Sequence, residues 1–337
     1  MTLEQLRSRL GMYLSRPGAQ HLGHSPGLLQ EVSGGWASSL YTFDLHRNEE
    51  STAPTVRLVL KTYAPDEDGR AHAVREWQAL QRLRAVDYPV PRAVLLEPDA
   101  DHLGRPFVVM EHVAGVTLWQ AHEAADPGTQ AQLVSAFTAA LRALHALDPR
   151  LLEPADTDQG EFDYVEREVA ELHRDSAGVV RVGLSNVLGW LRERRHLVPC
   201  LRPVILHRDY HPWNVLVDSS GRPWVLDWDW RIGDPRFDLA WTCTLMQRSG
   251  FDAFAQAVRQ EYASTVGAGD PLEELAYFEV LTTVRWLLNV LPSIESGTRL
   301  DAATRAEFRA FLVGPVREAR ALLRARTGID VEVQVQT

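Results

Sequence analysis

The sequence predicts an α+β fold, with a strand-rich N-terminal part followed by a mainly helical C-terminal part. Between Leu28 and Met110, short apolar runs bounded by Gly, Pro, Asp and Ser follow the pattern of strands. Beyond Thr117, apolar residues recur at helical spacing, as in Leu133, Phe137, Leu141, Leu144 and Leu147. Three short β-like runs, Val204–Leu206, Val215–Val217 and Trp224–Leu226, interrupt the helical part, and polar residues cluster at their ends.

Each element rests on local signals. Thr2 is a candidate N-cap, and Leu3, Leu6, Leu10 and Leu14 place an amphipathic helix over 2–15. Leu28–Val32, Leu40–Leu45 and Val56–Tyr63 read as strands. Between the first two lies Ser33-Gly34-Gly35-Trp36-Ala37-Ser38-Ser39. Gly34 and Gly35 let backbone N–H groups approach phosphate, with a hydroxyl from Ser38 or Ser39 in support; the same turn also suits a plain hairpin. Asp66–Gly69 reads as a turn and 71–85 as a helix. On that helix Ala73, Glu76, Leu80 and Leu83 share one stripe, so Glu76 faces inward and needs a cation. Tyr88–Pro91 is a rigid connector, Val94–Leu96 a strand, Asp99–Gly104 a turn and Phe107–Met110 a strand. Helices are expected at 117–123, from Asp126-Pro127 onward, at 180–197, from Leu239, and at 251–266, 271–291 and 301–326. Ser219-Ser220-Gly221 reads as a hairpin turn.

Length and composition narrow the functional classes. The 337 residues suffice for two lobes with a sizeable core. A net charge of −10 argues against a nucleic-acid binder that relies on a basic face. Cys200 and Cys243 form no disulfide framework and fit a reduced cytoplasm as buried apolar groups. There is no basic-then-apolar leader and no run of about 18 apolar residues, so neither a signal peptide nor a membrane partner is expected.

Of the 35 basic Lys and Arg residues, one is lysine, Lys61. A compact ammonium and a wide planar guanidinium are not interchangeable. A solitary lysine among arginines marks a place where the fork does not fit.

The chemistry-bearing stretch is 204–230. Asp209 is suited to accept a proton from an attacking hydroxyl. Asn214, five residues on, offers a neutral oxygen ligand, and Asp227 an anionic one. One amide and one carboxylate, completed by phosphate oxygens and water, suit Mg²⁺. Asp229 is the alternative metal ligand if the loop is shifted by two. The spacing resembles the kinase pattern H-x-D-x-x-x-x-N followed by a metal-binding Asp.

A narrower resemblance follows. His-Arg-Asp-Tyr-His-Pro-Trp-Asn-Val-Leu-Val at 207–217, Val-Leu-Asp-Trp-Asp at 225–229, Gly233-Asp234-Pro235 and Asp238-Leu239-Ala240 together resemble the aminoglycoside phosphotransferase family, which includes choline, homoserine and macrolide kinases. The resemblance covers roughly 28–290 and is most specific at 205–240. It implies a bilobal protein-kinase-like fold. The N-lobe at 1–111 would carry a five-stranded antiparallel sheet, with a hinge at 112–116 and a helical C-lobe at 117–330. It implies ATP or GTP as co-substrate and Mg²⁺ as cofactor. Lys61, set by Glu76, would steady the α/β-phosphates, with the Ser-Gly-Gly loop over them. Met110 would stand beside the adenine, whose edge would bond the Glu111 carbonyl and the Val113 N–H. Asp238 would brace the catalytic loop.

For the acceptor, residues 151–175 are acidic, which suits either a cationic substrate or a solvated helix face. Asp229, Trp230 and Trp286 are the candidate acceptor contacts, since aromatic walls suit cationic or macrocyclic molecules. The expected activity is phosphorylation of a small-molecule hydroxyl on an aminoglycoside or other amine-bearing acceptor, or on choline, homoserine or a sugar. A protein kinase is disfavoured by the missing Ala-Pro-Glu and Asp-Phe-Gly. An inactive nucleotide-binding regulator is disfavoured by the filled catalytic positions.

Overall fold

The computed structural model describes residues 1–16, 25–32, 38–46, 55–153, 159–178, 183–264, 274–295 and 302–332. The chain divides into two compact units: residues 1–117 with 215–230, and residues 118–214 with 231–337.

The first unit begins with α1, Leu3–Leu14, where Thr2 and Gln5 form a reciprocal capping box. Leu6, Leu10 and Leu14 face the sheet and join Phe43, Leu45, Leu58, Leu60 and Phe107 in one apolar cluster. Among the described residues the sheet holds six strands: β1 (Ser25–Pro26), β2 (Gln30–Val32), β3 (Ser39–His46), β4 (Val56–Thr62), β5 (Ala93–Glu97) and β6 (Phe107–Glu111). All its pairings are antiparallel, in the order β1-β3-β4-β6-β5, with β2 also on β3. The sixth strand corrects the expected five. The edge facing β3 is broken at Gly27, whose N–H donates to the Asp44 carbonyl at 2.7 Å, so β1 and β2 pair separately with the two ends of β3.

Helix α2, Glu67–Arg84, starts four residues earlier than expected, because Asp66 caps it by accepting from the Gly69 N–H at 2.8 Å. The expected turn at Asp66–Gly69 is therefore the cap and first turn of the helix. A Cβ at Gly69 would lie 2.1 Å from the Ala64 carbonyl oxygen, so a side chain is excluded there. After β6, a two-residue strand β7 (Val116–Thr117), not foreseen from the sequence, pairs with β9 (Val215–Val217), which forms the hairpin with β10 (Pro223–Val225).

That second unit is mainly helical: α3 (Leu118–Ala124), α4 (Pro127–Ala146), α5 (Asp163–Asp175), α6 (Leu184–Arg194), α7 (Arg236–Arg248), α8 (Asp252–Ala263), α9 (Leu275–Glu295) and α10 (Ala302–Thr327). Asp126 caps α4 ahead of Pro127, as predicted. Phe137, Leu141, Leu144, Phe237, Phe254, Phe278 and Leu281 fill its core. Strand β8 (Val204–Leu206) pairs with β11 (Arg231–Gly233), a strand the sequence reading missed. Both cysteines are buried and free. Among the described residues no helix is long and apolar enough to cross a membrane.

Candidate active site

Lys61 is the penultimate residue of β4, paired with Leu40 of β3 and Val108 of β6, so the strand carrying it is central. Its side chain is 4 % exposed. A buried ammonium is tolerated only with partners, and two are present: Nζ donates to Glu76 Oε2 and to Asp227 Oδ1, each at 2.6 Å. Burial pulls the lysine's pKa down, but the Asp227 and Glu76 charges outweigh it and hold it above the ordinary value. Glu76 stands where the α2 stripe placed it, 1 % exposed.

Tyr63, two residues beyond Lys61, donates its hydroxyl to the same Glu76 oxygen at 2.5 Å. Alternation along an extended chain turns residues 61 and 63 the same way, so Tyr63 was legible as a third member and was overlooked.

Asp227 follows β10 with φ +65°. A non-glycine residue is rarely held there, although Asp tolerates it better than most, and such strain gathers at functional loops. The loop is anchored by Trp228, fully buried, with its indole N–H on the Val225 carbonyl at 3.2 Å and its ring edge-on to Tyr88. The Asp227 carboxylate is 41 % exposed and thus reachable by a cation. Asp229 pairs with Arg75 at 3.3 Å, and the Trp230 indole donates to the Arg75 carbonyl at 2.9 Å. Both therefore tie the segment to α2 beside Glu76.

Met110 is buried in β6, paired with Val59 and Ala93. Glu111 ends the strand, its N–H on the Arg92 carbonyl at 2.9 Å. Val113 lies beyond the strand and is half-buried. Ser38 is half-buried ahead of β3; Gly34 and Gly35 lie outside the described residues.

In the second unit, Asp209 follows β8 and is held by its neighbours from several directions. Trp241 on α7 donates its indole N–H to Asp209 Oδ1 at 2.8 Å. Asn214 donates its amide nitrogen to Asp209 Oδ2 and to the Asp209 carbonyl, each at 3.1 Å. An amide fixed through its nitrogen presents its oxygen as the group for a cation. Burial would raise the Asp209 pKa, but the His211 and His207 charges and the Trp241 hydrogen bond hold it down to about 2.

The loop itself is braced by Asp238, fully buried at the start of α7. Its oxygens accept from the His207 N–H at 2.7 Å and the Arg208 N–H at 2.8 Å. His145 reaches the same carboxylate at 3.2 Å and Tyr262 at 2.7 Å, a structural use of that histidine. Arg208 has φ +73°. Its guanidinium is buried against Glu168 at 2.8 Å, in a network where Glu168 and Glu171 also bind Arg231 and Arg285. The two acidic residues of α5 that face inward are thus neutralised by arginines. They give no support to a cationic acceptor.

Glu168 is 9 % exposed. Burial pushes its pKa up, and Arg208, Arg285 and Arg231 pull it down further, to about 2 from an ordinary 4.5. Since the folded value is depressed, the stabilisation is present above the ordinary value and is lost as pH falls toward the folded one. A shift of this size is worth about 3 kcal/mol. Acid titration of the melting temperature should show this loss below pH 4.5, and Glu168→Gln should flatten that limb while lowering stability at neutral pH.

Among the described residues no three His, Cys, Asp or Glu side chains gather to hold a metal. Asn214 in the second unit and Asp227 in the first are each an oxygen donor of the type that Mg²⁺ takes together with phosphate and water.

Known proteins resemble this chain. A segment of mouse acyl-CoA dehydrogenase family member 10 is 25 % identical over 181 residues, 51 % of this chain but 17 % of that protein's length. The fold is kinase-like in its neighbours. A Ralstonia eutropha JMP134 protein named for aminoglycoside phosphotransferases superposes with a TM-score of 0.65 at 18 % identity, covering 96 % of this chain and 98 % of that one. The GDP and kanamycin complex of APH(2")-IIIa gives 0.60 at 16 % identity, covering 90 % and 94 %. The family model described as the phosphotransferase enzyme family matches residues 29–277, from β2 to the first turn of α9 and across all the candidate residues but Trp286, and the chain belongs to that family.

Proposed function

We propose that the protein transfers the γ-phosphate of ATP or GTP to a hydroxyl of a small molecule. The observation that supports this most is Lys61, bridged to Glu76 and Asp227 in an otherwise arginine-only chain. Lys61 steadies the α/β-phosphates and is held in place by Glu76 and Tyr63. The Ser-Gly-Gly loop at Gly34, Gly35 and Ser38 covers the phosphates, and Met110, Glu111 and Val113 receive the base. Asp209 orients the acceptor hydroxyl and takes its proton. A carboxylate held to about 2 is a weak base, which suits a loose transition state in which positioning and charge neutralisation matter more than proton abstraction. Asn214 and Asp227 are the residues that would hold Mg²⁺, which supplies charge neutralisation on the transferring group. Cytoplasmic nucleotide pools would supply the donor.

For the acceptor, likeness to the kanamycin-binding neighbour suggests an aminoglycoside, while choline, homoserine or a sugar fits the family equally. A catalytically silent nucleotide sensor is the second reading, and Mg²⁺-dependent hydrolysis of the nucleotide would reject it. Nucleotide binding itself is tested by melting. At a hundredfold excess over Kd, Mg²⁺–nucleotide should raise the melting temperature by about 5 °C. Asp227→Asn, which keeps tolerance of the positive φ but removes the charge, should abolish most of that rise. An unchanged rise would remove Asp227 from the metal site.

A further inference from the structure

Arg248, the last residue of α7, is 5 % exposed, and its Nε and both terminal nitrogens have no hydrogen-bond partner among the described residues. An arginine has five donors and does not readily lose its charge, so burying it unpaired is expensive. Other arginine heads described in the same unit have carboxylate partners. Arg208, comparably buried, has Glu168 and Glu171, and Arg285 and Arg236 each have carboxylates. Arg248 stands instead between two indoles, 4.5 Å from the Trp286 ring centre and 5.7 Å from that of Trp241. Ring faces offset part of the cost but accept no fork of hydrogen bonds.

Its location joins it to the proposed chemistry. The Trp241 indole beside the guanidinium is the one that donates to Asp209 Oδ1. One aromatic side chain thus separates the candidate base from an idle, desolvated cation. Burial draws the Arg248 pKa down to about 9 against the pull of Asp209, the one charge that acts on it appreciably. A single carboxylate across an indole leaves the donors unsatisfied.

We infer that Arg248 is the anchor for an oxyanion on the acceptor, so that the substrate class is a hydroxyl compound bearing a carboxylate or phosphate, not a polyamine. The inference rests on the phosphotransfer reading of Asp209. Paired guanidinium hydrogen bonds fit either oxyanion, and a hydroxyl on the same small molecule reaches Asp209. An ammonium-rich acceptor would meet like charge. Because the nitrogens lie beneath the two indoles, the anion is admitted when one of them turns, and indole emission reports the event.

The test uses the full chain with Mg²⁺ and a non-hydrolysable ATP analogue. Calorimetry and indole emission are followed with four sets of short linear probes of matched length: hydroxycarboxylates, hydroxyalkyl phosphates, diols and amino alcohols. Expected is saturable binding of the hydroxycarboxylates or the hydroxyalkyl phosphates and not of the other two. Which anionic set wins identifies the oxyanion. Arg248→Met should weaken that binding by about tenfold to a hundredfold or more. It should leave the melting temperature equal or higher, since an apolar group replaces an unpaired buried charge. A guanidinium present only for packing would instead lower the melting temperature and leave affinity unmoved. Arg248→Lys, which keeps the charge and loses the fork, should fall between wild type and Arg248→Met. Preferential binding of amino alcohols, or anion binding indifferent to Arg248, overturns the inference. Transfer from ATP itself separates the two readings. If phosphate passes to amino alcohols alone, the kinase reading stands and the anion anchor falls. If the anion binds through Arg248 but no probe is phosphorylated, the anchor stands and the kinase reading falls.

Discussion

Asp209→Ala should lower turnover by about 10²–10⁴-fold, some 3–5 kcal/mol of transition-state stabilisation, while leaving nucleotide affinity nearly intact. The asymmetry follows from what surrounds the carboxylate. Trp241 and Asn214 fix its two oxygens, and Asp238 fixes the backbone on its N-terminal side through His207 and Arg208. Removal therefore deletes an aimed acceptor without disturbing the brace. Asp209→Asn is the sharper variant, since it keeps the shape and removes the charge. The pH profile gives an independent check. With its pKa held to about 2, Asp209 is ionised throughout the neutral range and imposes no acid limb there. A limb near neutrality that vanishes in Asp209→Asn would contradict this assignment.

Lys61→Met should damage both nucleotide binding and stability. Three groups converge on the ammonium or on its partner: Glu76, Tyr63 and Asp227. Without the ammonium, Glu76 is a fully buried carboxylate whose remaining support is a tyrosine hydroxyl. Breaking one side of such a pair costs about 3–5 kcal/mol. Differential scanning calorimetry should record a fall of about 6 °C or more. Adding Glu76→Gln should return part of it, because the stranded charge is then gone, and the double-variant cycle measures the coupling. Lys61→Arg should also fail, since a planar fork cannot place one nitrogen 2.6 Å from two carboxylates set for a point charge. If Lys61→Arg were neutral, the solitary lysine would be a compositional accident.

The Lys61–Glu76 pair was legible because both signals are local. One is a residue type used once in the chain, the other a carboxylate on an apolar helical stripe. The family was legible in the spacing of Asp209, Asn214 and Asp227, because loop chemistry with fixed spacing survives without knowledge of packing. What escaped depends on long-range meetings. The bonding of Asp227 to Lys61 spans 166 positions, and that of Glu168 to Arg285 spans 117. The α5 acids therefore read as an outer face, either solvated or attractive to cations, when two of them are internal counter-ions. Arg248 gave no signal at all, because burial is not written in local spacing. The pairing at Ser25–Pro26, ahead of the expected strand at Leu28–Val32, escaped because two residues are too few to show alternation. The first turn of α2 was taken as a loop because Asp and Gly serve caps and turns alike.

The most direct measurement is phosphorus NMR of the intact protein with Mg²⁺–ATP and a mixture of hydroxycarboxylate, hydroxyalkyl phosphate, diol and amino alcohol acceptors. The γ-phosphate resonance should decline as a phosphate-ester resonance grows at the same rate, and both changes should stop in Asp209→Asn. Intact ATP, or an equal decline in that variant, would contradict the account.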